Sequence, residues 1–288
     1  MPTVVIIVHG RNQQRKDPVA LEAQWEGALL SGLKAVRAGH LDREQILFPF
    51  YGDLYDDYGL ATRLPTTIGD KRKRVRFERE VASEISAKLK ARRAKPPAAS
   101  KRREGEAAVG LFDPLINAFD RVPGVSGPFL RLIFRDVYDY LHDVGGIRRK
   151  TMERVIPVIR ANRKNRIVLV GHSLGSVVTY DILNTHPELR VDLFVTIGSP
   201  LGIDKAVRQR LLPSRSGKRV VPTGVGSWLN AADQDDYVAL DDTLADDFKG
   251  SGKAIVTDIR VRNPKGHSHS GEGYISQRKV CTELAKLL

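Results

Sequence analysis

Short apolar runs separated by stretches of helical spacing recur along the chain. Val4–Val8, Gln45–Pro49, Arg166–Val170, Leu193–Ile197, Ser227–Asn230 and Ala254–Val261 are brief and rich in β-branched and aliphatic residues. Strands buried on both faces of a parallel sheet read this way. Pro18–Val36 spaces Leu21, Trp25, Leu29 and Leu33 four residues apart, along one helix face. Ile147–Arg163, Ser176–Asn184 and Ser276–Leu288 are the other helices expected between or after strands. This alternation predicts an α/β protein with a mostly parallel sheet of about six strands and helices on both faces.

One interval breaks the alternation. About a hundred residues separate Phe50 from Arg166, too many for a structureless loop in a compact domain. The interval holds two helical patterns, one through Val75, Val81, Ile85 and Leu89 and one over Phe129–Tyr140. Between them Ala94–Glu106 is rich in Lys, Arg, Pro and Ala, and is expected to be a flexible basic link. The organisation predicted is a core of residues 1–52 and 147–288 with a large helical cap insertion over 53–146. Leu111, Phe112, Leu115, Ile116, Phe119, Phe129, Leu130, Leu132, Ile133 and Phe134 make that insertion apolar. They either meet a greasy substrate or pack the cap onto the core.

Composition narrows the class. A chain of 288 residues can bury a core without staples, and 41% hydrophobic with 28% charged residues is ordinary for a globular protein. No window reaches the roughly 18 apolar residues of a membrane span. The opening Met1-Pro2-Thr3 leads straight into apolar residues without a basic region, so it reads as a first strand and not as a signal peptide. The single cysteine, Cys281, cannot close an internal disulfide; a cytoplasmic address is expected. The net charge of +13 is concentrated, since Lys71–Arg103 carries 14 Lys and Arg against 3 Glu. Such a run is a solvated helix face or a basic surface for an anionic membrane. Nucleic-acid binding would need aromatic interleaving or a recognisable module, and neither is present.

The strongest chemical signal is Gly171-His172-Ser173-Leu174-Gly175, set between the strand ending at Val170 and a helix starting near Ser176. A serine on a sharp strand-to-helix turn lifts its hydroxyl above the sheet edge, and flanking glycines let the turn pack closely. The helix start beneath it supplies unpaired amides and a positive partial charge, which favour an oxyanion. Without that context the motif would be only a glycine-rich turn.

Val8-His9-Gly10-Arg11, Gly171–Ser176 and Gly198-Ser199-Pro200-Leu201 together resemble the lipase and esterase branch of the α/β-hydrolases. Trp228, Asn230, Asp233, Asp236 and Val238 match the pattern W-x-N-x-x-D-x-x-D-x-V of bacterial lipase-like hydrolases. The resemblance covers residues 1–52 and 147–288. It implies the chain order Ser, Asp or Glu, His for the reacting groups; unlike larger members, the sequence starts at the strand before His-Gly, so the two preceding antiparallel strands are expected to be missing. Three histidines follow Ser173. His186 ends a helix, while His267 and His269 lie on a glycine-rich loop after the last strand. The family's spacing of five residues to the tyrosine of a Gly-Tyr pair, here Tyr274, points to His269. The family pattern favours Asp236 as the acid, with Asp233 the alternative. Asp241, Asp242, Asp246 and Asp247 read as a solvated acidic face. The oxyanion donors implied are the backbone amides of Leu174 and of Arg11 or Gly10, with His9-Gly10 shaping the loop.

The activity implied is hydrolysis of a small-molecule or lipid carboxylic ester by Ser173, His269 and Asp236, without a cofactor. A metal at His267-Ser-His269 would need a third ligand that does not follow. The same three residues would also serve an amidase, peptidase or thioesterase, and a hydrolase scaffold can bind without reacting.

Overall fold

The first strand shows how the chain divides its apolar residues. In a computed structural model, which describes residues 1–10, 16–55, 68–94, 127–211, 220–249 and 254–288, β1 (Thr3–Val8) is buried throughout. Val4, Ile6 and Val8 join one apolar cluster and Val5 and Ile7 the other, the two-residue period of extended backbone. A strand apolar on both sides needs cover on both.

One cover begins at once. Asp17 accepts the Ala20 amide at 2.9 Å and Pro18 occupies the first turn, so α1 (Pro18–Ala35) starts with a capped end. Leu21, Trp25, Leu29 and Leu33 are all buried. β2 is only Ile46–Leu47, shorter than the run in the sequence. Then come α2 (Ile68–Ala94), α3 (Gly127–Leu141), α4 (Ile147–Ala161), β3 (Arg166–His172), α5 (Leu174–Thr185), β4 (Val191–Ile197), β5 (Val225–Asp233) and β6 (Val256–Val261). The chain closes with α6 (Gly271–Ile275) and α7 (Arg278–Ala285). The helix expected over Ser276–Leu288 corresponds to α7, and α6 is an additional short helix before it. Ser270 caps a turn early by accepting the Gly273 amide at 3.0 Å, and the Ser276 hydroxyl bonds back to the Glu272 carbonyl at 2.8 Å. Such local bonds compete with helix continuation.

The six strands of the described residues are all parallel, in the order β2-β1-β3-β4-β5-β6. The order reverses between β1 and β3, and the crevice beyond the carboxyl ends of strands at such a point is where open α/β sheets bind ligands.

α1, α6 and α7 cover one face of the sheet, and α2 to α5 cover the other. α5 is buried along its whole length from Leu174 to Leu183 because α3 and α4 lie over it. Its Asp181 accepts Arg148 Nε and Nη2 at 2.6 and 2.9 Å and the Tyr140 hydroxyl at 3.0 Å. α2 buries Phe77, Val81, Ala82 and Ile85, while Val75 is only half-buried. The described helices of the insertion thus belong to the helical layer of this face. The basic link beyond Ala94, and Leu111, Phe112, Leu115, Ile116 and Phe119, lie outside the described residues. So do the side chains of Leu89, Phe129, Leu130 and Leu132.

The acidic stretch after β5 corrects the sequence reading. Asp241 pairs with Lys88, Asp242 with Arg260 at 2.5 Å and Asp247 with Arg208. Only Asp246 of the four is exposed. The cations come from distant segments, which spacing along the chain does not show. Among the described residues no helix is long and apolar enough to cross a membrane.

Candidate active site

Ser173 is the single residue between β3 and α5, and its backbone takes φ 52° and ψ −121°. A side-chain-bearing residue there is strained by ~1–3 kcal/mol and persists only where its surroundings fix it. Its N–H donates to the Ile197 carbonyl at 3.1 Å, and its carbonyl accepts the Ser176 amide at 3.0 Å and hydroxyl at 2.6 Å. The Ser176 hydroxyl in turn meets that of Ser199 at 2.7 Å. Close approach explains two glycines. A Cβ on Gly175 would stand 2.1 Å from the Val8 carbonyl oxygen, and one on Gly10 would stand 2.8 Å from Ser173 Cβ.

From this turn a row of hydrogen bonds runs across the sheet edge. Ser173 Oγ lies 2.9 Å from His269 Nε2, and His269 Nδ1 lies 2.8 Å from Asp236 Oδ2. With the hydroxyl donating to Nε2, Nδ1–H donates to the carboxylate. Tyr274 adds a second donor to Oδ2 at 2.8 Å, and the Val238 amide donates to Oδ1 at 2.9 Å. Burial raises the Asp236 pKa, but the charge and hydrogen bond of His269, the Tyr274 hydroxyl and the Val238 amide outweigh it. The net effect holds this carboxyl below its ordinary value. It stays ionised beside the imidazole.

The neighbouring candidates are placed differently. Asp233 is equally buried, but its two oxygens accept backbone amides, those of Asp235 at 2.9 Å and Asn263 at 2.5 Å. Its carboxylate fastens the turn after β5 to the segment after β6. His267 is exposed on its loop. His186 caps the far end of α5, bonded to Thr185 and the Ile182 carbonyl, about 20 Å from the serine at helical rise.

His9 is buried and stacks on Tyr51 with ring centroids 4.1 Å apart. Its Nδ1–H donates to the Gly10 carbonyl at 2.7 Å and its Nε2 accepts the Tyr51 amide at 3.2 Å. Burial lowers its pKa to about 4, so it is a neutral brace for the loop. Leu174 opens α5, where first-turn amides have no partner within the helix and the dipole is positive. Arg11, the other expected oxyanion donor, lies outside the described residues.

Tyr274 does more than mark a spacing. Besides holding Asp236, its hydroxyl accepts the Asp233 amide at 2.8 Å, so one phenol joins the two aspartates. Sequence reasoning used it only as a ruler; a hydroxyl aimed at two groups some forty positions away leaves no local signal. The contacts of His172, which stands in the sequence only as a member of the serine turn, likewise leave no local signal.

An imidazole between a serine hydroxyl and a buried carboxylate can take the hydroxyl proton and keep the resulting charge paired. The parallel sheet, its two helical layers and the serine at the strand-to-helix turn define an α/β protein compatible with the α/β-hydrolase superfamily. No family model matches the chain, and no curated protein matches it.

Proposed function

We propose that the chain is a serine hydrolase of carboxylic esters, lipase- or esterase-like. The observation that carries this reading is the unbroken row from Asp236 through His269 to a serine held at positive φ. Ser173 Oγ attacks the ester carbonyl carbon as its proton passes to His269 Nε2. The oxyanion that forms faces the Leu174 amide at the start of α5; losing one such donor costs ~3–4 kcal/mol of barrier. Collapse breaks the carbon–oxygen bond to the alcohol, which takes the proton from Nε2 and leaves an acyl-serine. Water then gives a proton to Nε2 and its oxygen to the acyl carbon, and the returning proton frees the serine and the acid. Asp236 holds Nδ1–H throughout and stabilises the imidazolium.

Fluorophosphonate labelling tests the reading. Wild type should label and Ser173→Ala should not; an unlabelled wild type, or equal labelling of both, removes it. A panel of p-nitrophenyl esters of rising chain length, set beside amide and thioester analogues, then ranks acyl chain and leaving group.

The outward side of α2 favours a peripheral contact as well. Arg72, Lys73, Arg76, Arg79 and Lys90 are exposed there, opposite the buried Phe77, Val81 and Ile85. Near an anionic bilayer each such cation contributes about 1 kcal/mol. Charge reversal of Arg72, Lys73 and Arg79 should abolish sedimentation with phosphatidylserine vesicles. Binding to DNA with none to vesicles would assign the face to nucleic acid instead.

A further inference from the structure

The imidazole adjoining the serine, His172, takes no part in the acyl transfer above, yet it is wedged between three segments. Its ring lies 5.6 Å from Trp25 of α1, 4.9 Å from His269 and 6.4 Å from Tyr274, centroid to centroid. A Cβ added to Gly10 or Gly271 would stand 2.9 or 3.1 Å from its Nδ1. Its Nε2 is 3.1 Å from the backbone carbonyl oxygen of His269. A carbonyl only accepts, so Nε2 carries the hydrogen and Nδ1 the lone pair. Nδ1 is buried and has no hydrogen-bond partner among the described residues. Desolvation is the main cause that lowers the His172 pKa to about 3, which keeps the ring neutral and in this one tautomer.

The loop bearing His269 is tied at three successive carbonyls. Asn263 Nδ2 donates to those of Ser268 at 2.9 Å and Ser270 at 3.3 Å. The carbonyl between them, that of His269 itself, is the one His172 holds. Asn263 anchors the loop to the end of β6, whereas His172 anchors it to the residue that precedes Ser173. Only the second tie links imidazole and hydroxyl directly through the backbone.

We propose that His172 is a positioning residue: by donating Nε2–H to the His269 carbonyl it sets the approach of the His269 imidazole to Ser173 Oγ. The role rests on the hydrolase reading for its kinetic consequence, though not for its geometry. His172→Leu keeps much of the volume and removes the donor, while His172→Gln keeps an N–H at similar reach. On p-nitrophenyl acetate, the Leu variant should lose roughly 10²-fold in kcat, the scale of a slight misplacement of reacting groups, with KM within about twofold. The Gln variant should recover most of kcat. Where the Leu variant does not fold, by thermal melt, His172→Asn replaces it, its amide being too short for the carbonyl. A donorless variant with kcat within about twofold of wild type, or a Gln variant no better than it, overturns the proposal. Proton NMR of the downfield imidazole N–H of His269 separates this from failure of the hydrolase reading. If wild type neither cleaves esters nor labels, that reading fails alone. Loss of the resonance in the donorless variant and its return in the Gln variant still support the positioning role, and an unchanged resonance in both refutes it.

Discussion

The carboxyl edge of the sheet and the helical face behind it both bury carboxylates, and they differ in what stands opposite. On the helical face Asp181 meets the Arg148 guanidinium and Asp139 meets Arg74 at 2.6 Å. A guanidinium keeps its charge at any working pH, so these pairs only hold helices together. At the edge Asp236 meets an imidazole that touches a hydroxyl. An imidazole has one nitrogen that accepts and one that donates, so under the proposed reading the same residue type would serve a proton path. Burial is common to both regions, and the partner separates stability from chemistry.

The widest separation should come from Ser173→Ala, expected to cost ~10⁶ in kcat with no loss of melting temperature. A variant that keeps measurable ester turnover would erase the distinction. Asp236→Asn follows at about 10⁴ in kcat, whereas Asp233→Asn should weaken folding first, because its oxygens hold backbone amides. Comparable kinetic losses with comparable melts would make the two aspartates equivalent. Arg148→Met runs the opposite way. It strands a fully buried Asp181 and should cost about 3–5 kcal/mol in denaturant unfolding, with kcat unchanged.

Tyr274→Phe joins the two effects, since its hydroxyl serves Asp236 and the Asp233 amide. A lost hydrogen bond to a charged group is worth ~1.5–3 kcal/mol, so both kcat and stability should fall, by about tenfold or more in kcat. The smallest step is the pH dependence. His172 and His9 have folded pKa values of about 3 and about 4 against an ordinary 6.5. Below 6.5 the unfolded chain takes up protons that the folded one refuses. Their contribution is therefore complete above pH 6.5 and is lost as pH falls toward 4 and then 3. Each adds about 1.4 kcal/mol per pH unit to the slope of unfolding free energy. His172→Leu should remove one such increment between pH 6 and 4, and a slope unaltered by it would mean the ring is not buried neutral.

The sheet was legible because parallel strands covered on both sides must be short and continuously apolar, as Val4–Val8 and Ile167–Val170 are. The serine turn was legible because Gly171 answers a local steric demand, a Cβ there standing 2.7 Å from Ser176 Cα. Less was legible in the insertion. Its apolar residues left open whether they meet a substrate or pack onto the core, and Ile133 and Phe134 join the core cluster of the sheet. Composition reports that a helix has an apolar side and not which surface that side meets. For the same reason Asp241, Asp242 and Asp247 read as solvated while distant cations pair with them.

The sequence by itself determined the order and kind of the elements, the strand-to-helix turn at Ser173 and the short set of histidines and aspartates that could face it. These follow from periodicity and backbone sterics, which act over a few residues. Only the tertiary structure decided that Asp236 looks at an imidazole and Asp233 at amides, that Tyr274 spans the two, and that His172 grips the His269 carbonyl. Those contacts join segments 30 to 97 residues apart or lie on loops whose direction is set by packing, and hydrogen bonds select by direction in space, which a linear pattern does not carry.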